Sequence, residues 1–147
     1  MATLIESMIE RAKSDKKTIV LPEGNDDRIL EAAQTALAEG ISNIIILGNE
    51  DEIKSKDFNL DQATIINPAT SDKVDEFASL LYELRKKKGM TEEEAHSLVT
   101  TDPIYFAVMM LKTGMCDGLV GGAGCATVKM RSPAWKGLRT APGGAMV

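Results

Sequence analysis

The chain has 147 residues, with 17 Lys+Arg against 22 Asp+Glu and a formal net charge of −5. That length fits one domain with a real core, and the acidic balance excludes a protein that grips nucleic acid through bulk positive charge. Hydrophobic residues at 44% and charged ones at 27% exclude a disordered chain, and one His and two Cys are too few soft ligands for a structural zinc site, which takes about four.

Residues 1–17 place Leu4, Ile5, Met8 and Ile9 at helical spacing, with Glu6, Glu10 and Arg11 between them. A secretory signal needs a basic start and roughly 7–15 continuous apolar residues, and a membrane span roughly 18. Neither pattern occurs here, so the reading is a cytoplasmic protein with no membrane partner, and Cys116 and Cys125 as free thiols.

Thr18–Leu21 is a short β-branched run closed by Pro22 and Gly24, a buried strand ending in a turn. Asn25, Asp26 and Asp27 offer an N-cap and an acidic first turn to a helix over 28–39, whose apolar residues 29, 30, 33, 36 and 37 share one face. Gly40 stops it. Ile44–Leu47 is a second continuous apolar run, suited to a strand covered on both faces, and Gly48 and Asn49 end it. A short polar helix over 50–56 and a weaker strand at Thr64–Ile66 follow.

Ser71 can cap a helix whose apolar residues are 74, 77, 80, 81 and 84. Arg85 to Lys88 load cations onto its C-terminal end, where the dipole favours them, and Gly89 ends it. Thr91 and Glu94 fit a capping box, and Asp102-Pro103 opens one more helix. Gly118–Val120 is a fourth strand, followed at once by Gly121, Gly122, Ala123 and Gly124. Strands alternating with helices predict an α/β fold in three layers with a mostly parallel sheet. Residues 121–147 differ in kind: they hold six of the 12 glycines, four cations and no acid. This tail does not read as the end of a domain that finishes its own core.

Ligands of open α/β sheets sit beyond the carboxyl ends of the strands, here the loops 22–27, 48–50, 67–71 and 121–127. The last is neither a P-loop nor a full dinucleotide fingerprint, since Thr127 stands where the third glycine would be. It can present backbone N–H groups to an anion or be an ordinary tight turn. Arg85 offers a planar fork to phosphate, or merely neutralises a helix end. His96, among acids, reads as a surface histidine rather than a general base. Cys125 reads as a small buried thiol, and Met109, Met110 and Met115 read as core filling.

Five segments carry a resemblance in order and spacing: TIVLPEGNDDRILEAA, GISNIIILGNEDEIK, FASLLYELRKKKGMTEEEA, DPIYFAVMMLKTGMCDGLVGGA and KGLRTAPG. Together they resemble the N-terminal part of phosphate acetyltransferases, closely as far as about Ala123 and less closely in the tail. Phosphate butyryltransferases are similar but less close. The resemblance implies an incomplete N-terminal portion, residues 1–147, of a two-domain acyltransferase fold with a divergent tail at 121–147. It implies transfer of an acetyl group between coenzyme A and inorganic phosphate, with acetyl-CoA and phosphate as small-molecule substrates, no bound cofactor, no metal, and a homodimer at full length.

By the same resemblance Arg85 matches the family's arginine in the YELRK motif. Gly122 and Ala123 match the loop after the DGLV strand, where Gly121 replaces a serine. Ser132 stands at the family's second anion-binding arginine, with Arg131 one place early. The family's remaining half carries most of the coenzyme A site and the acid, serine and arginine that act on the thiol and the tetrahedral intermediate. The expectation is therefore that no catalytic residue lies in these 147 positions and that the fragment alone is inactive. A phosphate butyryltransferase, or a non-catalytic phosphate-binding module, is the alternative.

Overall fold

The computed structural model describes residues 3–121. Its elements run α1 (Leu4–Ser14), β1 (Thr18–Leu21), α2 (Asp27–Glu39), β2 (Asn43–Leu47), α3 (Glu50–Lys54), β3 (Thr64–Ile66), α4 (Val74–Arg85), α5 (Glu92–Thr101), α6 (Pro103–Lys112) and β4 (Gly118–Leu119). The four strands form one parallel sheet in the order β3-β2-β1-β4.

Successive strand residues point to opposite faces, so the continuous apolar runs must be covered twice. Leu21, Ile44 and Ile46 pack with Leu30 and Ala33 of α2, Ile53 of α3 and Leu60. Val20, Ile45 and Leu47 pack on the other side with α4, α5 and α6. The chain builds β1, β2 and β3 outward in one direction, then returns past β1 to place β4. Right-handed crossovers put helices on opposite faces when the direction of travel reverses. The three layers expected from the sequence follow from that reversal.

The helical layer after β3 is the thicker one. Residues 104–110 of α6 are all buried, and Phe106 meets Phe77 of α4 edge to face, with ring centroids 4.9 Å apart. Local chemistry sets the helix ends. Asp26, the middle of the three candidate caps, accepts from the Arg28 N–H, and Gly40 closes α2 in the left-handed region at φ 68°. The Thr91 hydroxyl accepts from the Glu94 N–H, and Asp102 accepts from the Ile104 N–H in front of Pro103. Ser71 lies two residues before the N-cap position, Lys73, and its hydroxyl accepts from the Lys73 N–H.

The structure corrects one expectation and qualifies two others. Met109 and Met110 fill the core, but Met115 is 37% exposed, because it follows a turn at Gly114 that lifts the chain off α6. The helix over 74 stops at Arg85, and Lys86–Lys88 continue as a 3-10 turn. The amphipathic N-terminal helix forms with a full capping box between Thr3 and Glu6, yet buries none of its residues.

Among the described glycines, Gly24 has the least room for a side chain. Its N–H donates to the Leu47 carbonyl, and a Cβ built there would stand 2.4 Å from that same oxygen. Gly24→Ala should cost about 1–3 kcal/mol by forcing the loop after β1 away from β2. Phe106→Ala should cost about 3–5 kcal/mol through the cavity left against Phe77. Denaturant unfolding of the two variants against the parent chain measures both.

Candidate functional site at the strand ends

Strand order reverses between β1 and β4, which is where an open α/β sheet opens a crevice at its carboxyl end. Three hydrogen bonds pin β4 there. The Thr18 N–H donates to Asp117 Oδ2 at 2.9 Å, the Asp117 N–H returns to the Thr18 carbonyl at 2.8 Å, and the Val120 N–H reaches the Val20 carbonyl at 3.2 Å. β4 thus delivers Gly121 to the carboxyl end of the sheet beside β1. Gly122 and Ala123 come next in the chain; they lie outside the described residues, as do Gly124, Cys125, Arg131 and Ser132.

The β1 side of the crevice is a cleft of about 580 Å³ between the Pro22–Arg28 loop and the start of α6, lined by Glu23, Asn25, Asp26, Arg28, Lys56 and Asp102 among others. Its cations are already matched. Arg28 grips Asp26 with both prongs, Nε to Oδ1 at 3.0 Å and Nη2 to Oδ2 at 2.7 Å. Those side-chain hydrogen bonds hold the Asp26 carboxyl down at about 2. Lys56 pairs with Asp27 from across the loop. Glu23, the buried charged residue of this region, is 9% exposed. Sequence reading took Asp26 only as a possible cap and missed its grip by Arg28; the Asp-x-Arg spacing at a helix start was the available signal.

Arg85 presents the contrast. It is half-buried at the C-terminal end of α4, between Leu84, which packs on the core, and the exposed Lys86–Lys88. Lys86 is taken up by Glu83 at 2.7 Å, whereas the Arg85 guanidinium has no ion pair or side-chain hydrogen bond among the described residues. An unpaired, half-desolvated fork can take a phosphate in two parallel bonds. At about 1.5 Å per residue, Arg85 stands roughly 16 Å along α4 from Val74. It is therefore at the other end of that helix from the Asn67–Ser71 loop, and the described residues do not bring it together with the strand-end loops.

The remaining candidates are plain. His96 is exposed, 3.8 Å from Asp75 Oδ1 across a cleft between α4 and α5. Cys116 is buried, and burial pushes its thiol pKa up, so it is protonated near neutral pH. Among the described residues no group of three His, Cys, Asp or Glu side chains could hold a metal ion, and no helix is long and apolar enough to cross a membrane.

The Asp26 pair fixes a pH dependence. A carboxylate held below its ordinary value of about 3.9 adds stability above that pH and loses it as pH falls toward 2. Carbon-detected NMR of the Asp26 carboxyl should show a midpoint near 2, rising toward 3.9 in Arg28→Ala. An unchanged midpoint in that variant would show that Arg28 is not the cause.

A family model described as phosphate acetyl/butaryl transferase matches residues 3–147, further along the tail than the resemblance read to about Ala123. The chain is 49% identical over 147 residues to the phosphate acetyltransferase of Thermoanaerobacterium thermosaccharolyticum, covering 99% of this chain and 44% of that protein. It is 46% identical to the phosphate acetyltransferase of Acetivibrio thermocellus, with the same coverage. Among solved structures, a phosphotransacetylase from Streptococcus pyogenes superposes with a TM-score of 0.90 at 34% identity, covering 99% of this chain and 46% of that one. The chain thus spans a little under half the length of these three proteins. It belongs to the phosphate acetyl/butaryl transferase family.

Proposed function

We propose that this chain is the phosphate-handling N-terminal part of an acyltransferase that moves an acetyl group between coenzyme A and inorganic phosphate. The observation that carries the reading is the 49% identity, over nearly the whole chain, to a protein named phosphate acetyltransferase. The family description includes butyryl transfer, but the curated relatives reported above are named for acetyl. The physical chemistry agrees with phosphoryl anions as ligands: an Arg85 guanidinium with no ion pair among the described residues, and a glycine-rich sequence, with Gly122 and Ala123, that follows β4 in the chain. Arg85 and the loop N–H groups, which the described residues do not bring together, would each take a phosphoryl anion of a substrate. The reading includes a cytoplasmic enzyme, homodimeric at full length, with acetyl-CoA as substrate rather than resident cofactor.

No step is assigned to a catalytic base within these residues. More than half of each relative's length lies outside the match, and each preorganised oxyanion donor removed typically costs several kcal/mol of transition-state stabilisation. The purified 147-residue chain should therefore release no thiol from acetyl-CoA and phosphate above the blank. A chimera with this chain in place of the matching part of the Thermoanaerobacterium relative should turn over. In it, Arg85→Ala should lower kcat/KM for phosphate at least about tenfold, with Arg85→Lys giving little back, since a point charge cannot replace the fork. Turnover by the isolated chain, or a chimera indifferent to Arg85, would defeat the proposal.

A further inference from the structure

We infer that Asp117 is a positioning residue for phosphate binding: its carboxylate acts through the backbone, setting where Gly121 leaves the sheet. The inference deepens the proposed function and rests on it, since it takes the N–H groups of Gly122 and Ala123 as those that meet the phosphoryl anion.

β4 has little of its own to hold it. It comprises Gly118 and Leu119 and, among the described residues, pairs with β1 alone, in the register Ile19 with Gly118 and Val20 with Leu119. At its far end the Val120 N–H reaches the Val20 carbonyl at 3.2 Å. At its near end the Asp117 side chain stands in for a strand carbonyl. Oδ2 accepts the Thr18 N–H at 2.9 Å, while the Asp117 N–H donates to the Thr18 carbonyl at 2.8 Å. Both backbone polar groups of Thr18 are therefore held by one residue. The strands lie close here, since a Cβ on Gly118 would stand 3.0 Å from Ile19 Cδ1.

The carboxylate is spent on the backbone and makes no ion pair among the described residues. Its bond to Thr18 is exposed, so water can replace it at little cost in stability, but water cannot replace its direction. Gly121 stands four residues further on, roughly 13 Å along an extended chain. A pivot at Asp117 is magnified over that length, and a misplacement of about 1 Å at a reacting centre can cost about a hundredfold. The expected signature is a variant that is nearly as stable as the parent but binds phosphate less well.

The test begins with hydrogen exchange in the 147-residue chain. The Val120 amide should exchange at least about fivefold faster in Asp117→Ala than in the parent. In Asp117→Asn, whose side-chain oxygen can accept the same N–H, it should stay within about twofold. Thr18→Pro removes the donor at the first residue of β1, where proline is tolerated; it should reproduce Asp117→Ala and add nothing when combined with it. In the chimera with the Thermoanaerobacterium relative, titration with inorganic phosphate should give a Kd at least about fivefold weaker for Asp117→Ala, restored in Asp117→Asn, with the KM for acetyl-CoA within about twofold of the parent in both. Val99→Ala, which opens a cavity in the core at a fully buried position of α5, should lower the Tm and leave the phosphate Kd unchanged, separating position from stability. Unchanged Val120 exchange or an unchanged phosphate Kd in Asp117→Ala overturns the inference. So does an equal loss in Val99→Ala, or no recovery in Asp117→Asn. Should the chimera not accumulate in soluble form, the exchange pattern of the isolated chain decides. The phosphate Kd is read without turnover, so this pattern of binding with no acetyl transfer would count against the proposed function alone.

Discussion

The constraint on which the rest depends is that β1 and β2 are buried on both faces. Val20 and Ile46 are fully enclosed, and Leu47 nearly so. A strand in that position cannot alternate polar and apolar residues, and its sheet needs a helical layer on each side. One layer comes from the short crossovers that carry α2 and α3. The other comes from the long passage between β3 and β4, where α4, α5 and α6 bury the Phe77–Phe106 contact. Because that passage returns past β1, the sheet acquires a switch point and the crevice acquires a place.

The crevice is kept in register by small polar devices rather than by the core. Asp117 uses its backbone N–H and its carboxylate to fix the start of β4 to Thr18, and Gly24 lets the loop after β1 press against the end of β2. Arg28 and Lys56 are spoken for by Asp26 and Asp27, so both cations of the rim already have carboxylate partners. In the proposed reading the charge offered to a substrate anion lies elsewhere, on Arg85, which has no ion pair among the described residues. A group that takes a substrate anion is better left without an internal carboxylate, which would compete with the substrate.

Most of the fold was legible in the sequence, for physical reasons that can be named. Continuous β-branched runs at Ile44–Leu47 and Thr18–Leu21 admit little besides buried parallel strands, and Gly40, Thr91 and Asp102-Pro103 mark helix ends by chemistry that acts within four residues. What was not legible depends on groups distant in sequence or on the solvent side. Met115 reads as core by composition and is placed outside by the turn before it. The apolar spacing of α1 predicts a helix correctly and says nothing about whether anything covers it. Asp26 and Arg28 are two residues apart, yet their pairing depends on side-chain geometry that the pattern does not carry. Arg85 stands out through a family motif; that it makes no ion pair among the described residues depends on which groups the fold brings near it.

The central claim is that Arg85, and not Arg28, is the arginine this chain offers to a substrate phosphate. Its most direct measurement is an inorganic phosphate titration of the chimeric enzyme followed by the arginine Nε–H resonances. The account predicts a saturable shift of Arg85 with Arg28 unmoved, because Asp26 already holds both prongs of Arg28. A saturable shift of Arg28 with Arg85 silent would contradict it.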